Sequence, residues 1–313
     1  MTFAFVFPGQ GSQSLGMLAD LSEHFPQVKS TFSEASDVLG YDLWNLVQNG
    51  PESDLNQTDR TQPAMLTAGI AVWRCWQHQS SLKPAFLAGH SLGEYSALVA
   101  AEAISFTDAV KLVKMRGQFM QEAVPSGEGA MAAILGLEDA EVTEICQQAS
   151  DAGVVEAVNF NSPGQVVIAG SDAAVKKAIE IATDKGAKRA LLLPVSVPSH
   201  CALMRPAADR LKQELATVTI NTPNIAVIHN ASVTSSSDSA EIRDLLTQQL
   251  FSPVRWVETI QHLAGNGVTS LVECGPGKVL AGLTKRIDKT VAALPVFDPA
   301  SLEKAIQALG EAS

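Results

Sequence analysis

The chain has 313 residues, 46% of them apolar and 18% charged, with a formal net charge of −11. This is the make-up of a folded globular protein, long enough for one large domain and a smaller one. The acidic balance argues against a general nucleic-acid binder, which carries a basic face. No apolar run reaches the roughly 18 residues that span a bilayer.

In chain order, residues 3–7 form a short apolar run ending at Pro8-Gly9, the pattern of a buried parallel strand. No basic segment precedes it, and it is too short for a secretory leader, so the expected location is the cytoplasm. Helical stretches follow, among them 27–39 and 61–79. A second buried strand, 85–89, runs into helices at 92–101 and 106–122. Strands alternating with helices predict an α/β layered fold.

A linker-like stretch, Val124-Pro125-Ser126-Gly127-Glu128-Gly129, opens a different rhythm. Strand 130–135, helix 139–149, strands 154–160 and 165–169, helix 172–183 and strand 189–193 follow in order. That is βαββαβ, the ferredoxin-like pattern. The expected division is a hydrolase-like large domain with a parallel sheet, residues 1–125 and 198–313, and an inserted ferredoxin-like small domain, residues 126–197. Helix 204–216, strand 225–229, helices 240–250 and 257–264, strand 270–273 and helix 277–287 complete the large domain.

Gly89-His90-Ser91-Leu92-Gly93 lies between a buried strand and a helix, the context of a nucleophile elbow. The helix N-terminus aims free N–H groups at the site. The bland alternative is a serine N-cap. A serine nucleophile needs a base. Of six histidines, His24 and His78 sit in polar helical surroundings, and His90 lies inside the elbow, where it shapes the pocket. His200 stands between an apolar strand and a helix, a position where catalytic residues gather. Cys75, Cys146, Cys201 and Cys274 form no CxxC pair, so neither a zinc site nor a disulfide framework is expected. Cys201 follows His200 directly, and neighbours along an extended chain point opposite ways.

Six motifs then occur in order: Phe7-Pro8-Gly9-Gln10-Gly11-Ser12-Gln13, Gly89-His90-Ser91-Leu92-Gly93-Glu94-Tyr95-Ser96, Met115-Arg116-Gly117, Asn159-Phe160-Asn161-Ser162-Pro163-Gly164-Gln165, Val195-Ser196-Val197-Pro198-Ser199-His200 and Glu273-Cys274-Gly275-Pro276-Gly277-Lys278-Val279-Leu280. Together they resemble the malonyl-CoA:acyl carrier protein transacylases of bacterial type II fatty acid synthesis. The resemblance covers about residues 3–287, and the tail after about 290 contributes little to it.

The resemblance implies transfer of malonyl from malonyl-CoA to the phosphopantetheine thiol of acyl carrier protein, with no metal or other cofactor. Ser91 would be the nucleophile and His200 its base. The N–H groups of Gln10 and Leu92 would form the oxyanion hole, and Arg116 would pair with the malonyl carboxylate. Gln10 and Asn161 would also contact substrate, and the Gln249 carbonyl would orient His200. With no carboxylate partner expected for His200, acylation should weaken as pH falls through about 6.5, the ordinary imidazole value. Lys185, Lys188 and Arg189, with Lys278, Lys285, Arg286 and Lys289, would offer an acidic carrier a basic patch on an otherwise acidic protein, Lys285 and Arg286 foremost.

Three rival readings remain at this point: a thioesterase or lipase, a non-catalytic carrier-binding protein, and a transferase for another extender unit. A hydrolase places an acid between serine and histidine in the chain. Asp139, Asp151, Asp172 and Asp184 fall in that interval, on predicted helices or turns rather than after a strand of the main sheet.

Overall fold

The computed structural model describes residues 2–195 and 197–310. Ser196, within the fifth motif, lies outside them. The strands are β1 (Thr2–Phe7), β2 (Phe86–Gly89), β3 (Gly129–Leu135), β4 (Val155–Ser162), β5 (Gln165–Ser171), β6 (Arg189–Leu192), β7 (Ala226–Ile228), β8 (Val268–Cys274) and β9 (Ala292–Val296). They build two sheets. One is parallel, in the order β7-β2-β1-β8-β9. The other is antiparallel, in the order β4-β5-β3-β6. With helices Asp139–Ala149 and Asp172–Asp184 between its strands, the second sheet has the ferredoxin-like arrangement.

β1 occupies the centre of the parallel sheet, which explains its continuous apolar run. Phe3, Phe5 and Phe7 face one helical layer and Ala4 and Val6 the other, following the two-residue repeat of a strand. Phe5 packs edge-on against Trp73 at 5.0 Å and Trp76 at 4.9 Å between ring centroids. Both tryptophans belong to helix Thr58–Gln79, most of which is buried. The antiparallel sheet has its own apolar cluster, including Ile134, Val142, Ile145, Ile168, Val175 and Ala178. Its opposite face, with Met131, Val158 and Val167, packs with Cys201.

Among the elements unassigned in the sequence are the short helices Ala19–His24, Leu43–Asn49 and Glu52–Leu55 and the last strand and helix. β9 pairs in parallel with β8, and helix Pro299–Gly310 follows it, burying Leu302, Ala305 and Leu309. Only Val296 of β9 is fully buried, so this edge strand lacks the unbroken apolar signature of β1. Among the described residues no helix is long and apolar enough to cross a membrane.

The turn from β2 into helix Gly93–Ala100 is set by contact distances. A Cβ on Gly89 would lie 1.8 Å from the Gly93 carbonyl carbon, and one on Gly93 would lie 2.0 Å from the Phe7 carbonyl oxygen. The glycines therefore let the helix start directly against β1 and β2. Because the obstacle is backbone, Gly93→Ala should destabilise the fold by about 3 kcal/mol or more. Chemical denaturation monitored by circular dichroism would measure the loss.

Candidate active site

The carboxyl ends of β1 and β2, together with the inner face of the antiparallel sheet, line a cavity of about 490 Å³. Gln10, Ser91, Leu92, Arg116 and His200 line one side, and Met131, Asn159 and Val167 the other.

Ser91 sits at the elbow with φ 51, a left-handed conformation that a residue bearing a Cβ adopts only when its surroundings hold it there. Asn230, directly beyond β7, provides that hold. Its Oδ1 accepts from Ser91 N at 2.7 Å, and its Nδ2 donates to Gly89 O at 2.6 Å. Ser91 Oγ lies 2.7 Å from His200 Nε2. His200 also has a positive φ, 69. Its backbone N–H donates to Leu250 O at 3.0 Å, and its ring Nδ1–H donates to Gln249 O at 2.7 Å. A carbonyl thus stands where a Ser-His-Asp triad has an acid. Asp139 and Asp172 lie at helix starts, Asp184 at a helix end and Asp151 in a short 3-10 turn, and none lines the cavity.

With Nδ1 donating, Nε2 is left as an acceptor for the serine proton. Burial pushes the His200 pKa down, the positive charge of Arg116 adds to the effect, and the value falls to about 3. This corrects the expectation of an ordinary imidazole near 6.5. The sequence showed no carboxylate to raise the value, but it did not show that the ring is dry and faces a cation.

Arg116 is 1% exposed, on helix Phe106–Ala123. Its Nη1 donates to Gln62 Oε1 at 2.9 Å, and its Nη2 donates to Gln249 Oε1 at 3.0 Å and to Ser91 Oγ at 3.4 Å. Its Nε is buried without a hydrogen-bond partner among the described residues. No carboxylate among the described residues lies within ion-pair distance. The guanidinium is therefore a buried cation held by neutral oxygens, next to the serine.

The chain segment at Gln10 and Leu92 meets across the elbow. A Cβ on Gly9 would lie 2.5 Å from His90 O and 3.7 Å from Leu92 N. The N–H groups of Gln10 and Leu92 donate to no described residue. The Gln10 side chain points to Thr58 Oγ1 at 3.5 Å.

Asn161 lies near the end of β4. Its Oδ1 accepts from His90 Nε2 at 2.8 Å, and it does not line the cavity. The register of β4 against β5 shifts on both sides of Asn159-Phe160, and it is Asn159 that reaches the cavity wall. The Asn161 side chain thus holds the His90 ring. Cys201 is fully buried and donates to Pro198 O, with its thiol pushed up to about 12 by burial.

Sequence reasoning missed Gln62, Asn230, His229 and a role for Glu94. Glu94 is fully buried and accepts from His229 Nδ1, Asn230 N and Gln249 Nε2. Two signals were present: a carboxylate in the otherwise apolar start of an elbow helix, and a polar His229-Asn230 pair where a buried strand ends.

Residues 4–300 match the model of the acyl transferase domain. A malonyl CoA-acyl carrier protein transacylase of Salmonella typhimurium is 57% identical over 304 residues, covering 97% of this chain and 98% of that protein. An acyl carrier protein S-malonyltransferase from Vibrio cholerae superposes with a TM-score of 0.95 at 59% identity, covering 97% of this chain and 100% of that one. A malonyl-transacylase solved in complex with its type II PKS acyl-carrier protein gives 0.97 at 54% identity, covering 98% and 100%. The chain belongs to the acyl transferase family and, within it, to the malonyl-CoA:acyl carrier protein transacylases.

A folded-state pKa of about 3 keeps His200 neutral, and so able to accept a proton, throughout pH 5–8. The same depression favours the unfolded chain as pH drops below about 6.5, because only the unfolded imidazole gains its proton there. Nitrogen NMR of the imidazole should show no His200 titration between pH 5 and 8 (limits chosen around that ordinary value, approximately).

Proposed function

We propose that the protein transfers malonyl from malonyl-CoA to the phosphopantetheine thiol of acyl carrier protein through a malonyl-serine intermediate, supplying fatty acid biosynthesis. Ser91 Oγ attacks the thioester carbonyl while His200 Nε2 takes its proton. The N–H groups of Gln10 and Leu92 receive the oxyanion. As the tetrahedral intermediate collapses, the C–S bond breaks and His200 returns the proton to the departing CoA sulfur. The carrier thiol then gives its proton to His200 and attacks the serine ester. Collapse of this second intermediate returns the proton to Ser91.

The observation that carries the substrate choice is Arg116, a buried guanidinium without a carboxylate partner among the described residues, 3.4 Å from Ser91 Oγ. A malonyl ester on Ser91 ends in a carboxylate a short distance from that serine oxygen. The guanidinium fork matches a carboxylate, and hydrogen bonds to charged groups contribute about 1.5–3 kcal/mol net, or roughly 10- to 100-fold in selectivity. An acetyl group leaves the buried cation unmatched.

The domain division at 126–197 belongs to the same reading. It is supported by the separate apolar cluster of the antiparallel sheet and by the cavity lined from both sides. Intact mass after mixing with malonyl-CoA tests the intermediate. An adduct of one malonyl group on the unsubstituted protein and none on Ser91→Ala is expected. An adduct that survives Ser91→Ala sinks the mechanism. Arg116→Ala should lose the malonyl adduct far more than an acetyl one formed from acetyl-CoA. Equal losses would make Arg116 structural.

The carrier is expected to approach over exposed Lys278, Lys285, Arg286 and Lys289, with Lys188 and Arg189 nearby in chain order to β6. Arg286 Nη1 donates to Gln165 Oε1 at 2.7 Å, joining helix Val279–Ile287 to the antiparallel sheet. Lys185 is paired with Glu144 at 3.4 Å and contributes less. Reversing Lys285 and Arg286 to Glu should slow transfer to the carrier and spare acylation by malonyl-CoA. If both half-reactions keep their rates, this face is not the docking site.

A further inference from the structure

Arg116 has no direct counter-ion among the described residues, yet an anion stands one side chain away. Gln249 Oε1 accepts from Arg116 Nη2 at 3.0 Å, and Gln249 Nε2 donates to Glu94 Oε2 at 2.8 Å. The amide therefore bridges a buried cation and a buried carboxylate. Glu94 is fully buried, and its described contacts are all donors: His229 Nδ1 at 2.7 Å, Asn230 N at 2.9 Å and the Gln249 amide. Three donors and no acceptor suit the ionised form of the carboxyl. His229 does not take the place of Arg116 as counter-charge. Its Nε2 is buried with no acceptor among the described residues, so a protonated ring would bury an unmatched N–H.

We infer that Glu94 is the counter-charge of Arg116, acting through the Gln249 amide, and that this indirect pairing sets how strongly the site holds an acyl carboxylate. The inference rests on the proposed reading of Arg116 as the group that receives that carboxylate. A carboxylate bound directly to Arg116 would occupy its fork with charge-assisted bonds, about twice as strong as neutral ones. The spacer avoids this. The guanidinium is held by Gln62 and Gln249 oxygens, which are neutral and weaker competitors, and its Nε remains unused.

The relay acts in two directions. The negative charge of Glu94 eases the burial of Arg116 in the empty site. It also opposes a second carboxylate, so the acyl group is held firmly enough to be selected and loosely enough to leave on the carrier. The same Gln249 carries the His200 ring on its carbonyl, so one residue links acyl recognition to the alignment of the base. Glu94 is thus a positioning residue that touches neither substrate nor the reacting atoms.

Two measurements on the full chain test this. The first is a double-mutant cycle of thermal melts with Glu94→Gln, Arg116→Met and the double variant, with no substrate present. Glu94→Gln should lower the melting temperature, and adding Arg116→Met should recover part of the loss, because the uncompensated cation is gone. Additive losses overturn the inference. If Glu94→Gln alone does not fold, the double variant decides: its folding supports the relay and its failure overturns it. The second is the binding of free malonate, titrated by NMR. Glu94→Gln should bind malonate about fivefold or more tightly, and Glu94→Asp, which keeps the charge, should stay near the unsubstituted protein. Unchanged or weaker binding by folded Glu94→Gln overturns the inference. If the unsubstituted protein takes no malonyl adduct, the proposed function fails, while the melting cycle still reads the Arg116–Glu94 coupling.

Discussion

A full positive charge lies at 1% exposure beside Ser91, surrounded by amide oxygens rather than a carboxylate. An isolated charge moved from water into a protein interior costs several kcal/mol even after the surroundings relax. The architecture around Arg116 answers that cost. Gln62 from helix Thr58–Gln79 and Gln249 from helix Ser239–Gln249 supply oxygens, and the Tyr95 ring lies under the guanidinium with its centroid at 5.5 Å. Placing these groups around Arg116 requires four helices to converge near the carboxyl end of the parallel sheet. The cation also reaches the base, since its field helps to hold His200 neutral. The buried cation and the imidazole beside Ser91 are therefore electrostatically joined.

Gln249 is where the joining becomes structural. Its backbone carbonyl holds the His200 ring, its side-chain oxygen holds Arg116, and its side-chain nitrogen reaches both Glu94 and Ser91 O at 3.0 Å. Every hydrogen-bonding atom of the amide is matched, so the residue has little freedom to rotate away. Asn230 does the equivalent for the elbow, pinning Ser91 N and Gly89 O while its own N–H is taken by Glu94. The strained φ of Ser91 is held by this network and by the tight approach of the Gly93 helix to β1.

The location of the cavity follows the general behaviour of open parallel sheets, which bind ligands outside the carboxyl ends of their strands. The Pro8-Gly9-Gln10 turn follows β1, the elbow follows β2 and the His229-Asn230 pair follows β7. The antiparallel sheet closes the cavity with Met131, Asn159 and Val167. Its β4 is tied back to the large unit, with Phe160 N donating to Val254 O at 3.1 Å and Val254 N donating to Val158 O at 2.8 Å. β4 is thus joined by backbone bonds to the segment between helices Ser239–Gln249 and Trp256–Gly265, next to the cavity.

The buried strands 3–7 and 85–89 and the βαββαβ run were legible in the sequence because burial and helix or strand period are written in local residue order. The motifs likewise singled out Ser91, His200 and Arg116, while Gln249 lies in none of them and was named only through the resemblance they carry. β9 was not legible, since an edge strand is only half covered and carries a weaker apolar pattern. The low pKa of His200, the turn of Asn161 toward His90, and the Arg116–Gln249–Glu94 chain were decided by tertiary structure alone. Residues 94, 116 and 249 are far apart in the chain, and hydrogen bonding and desolvation depend on distance in space. Residue order determined which elements and reactive groups this protein has; only folding determined which charges face one another and how much water remains between them.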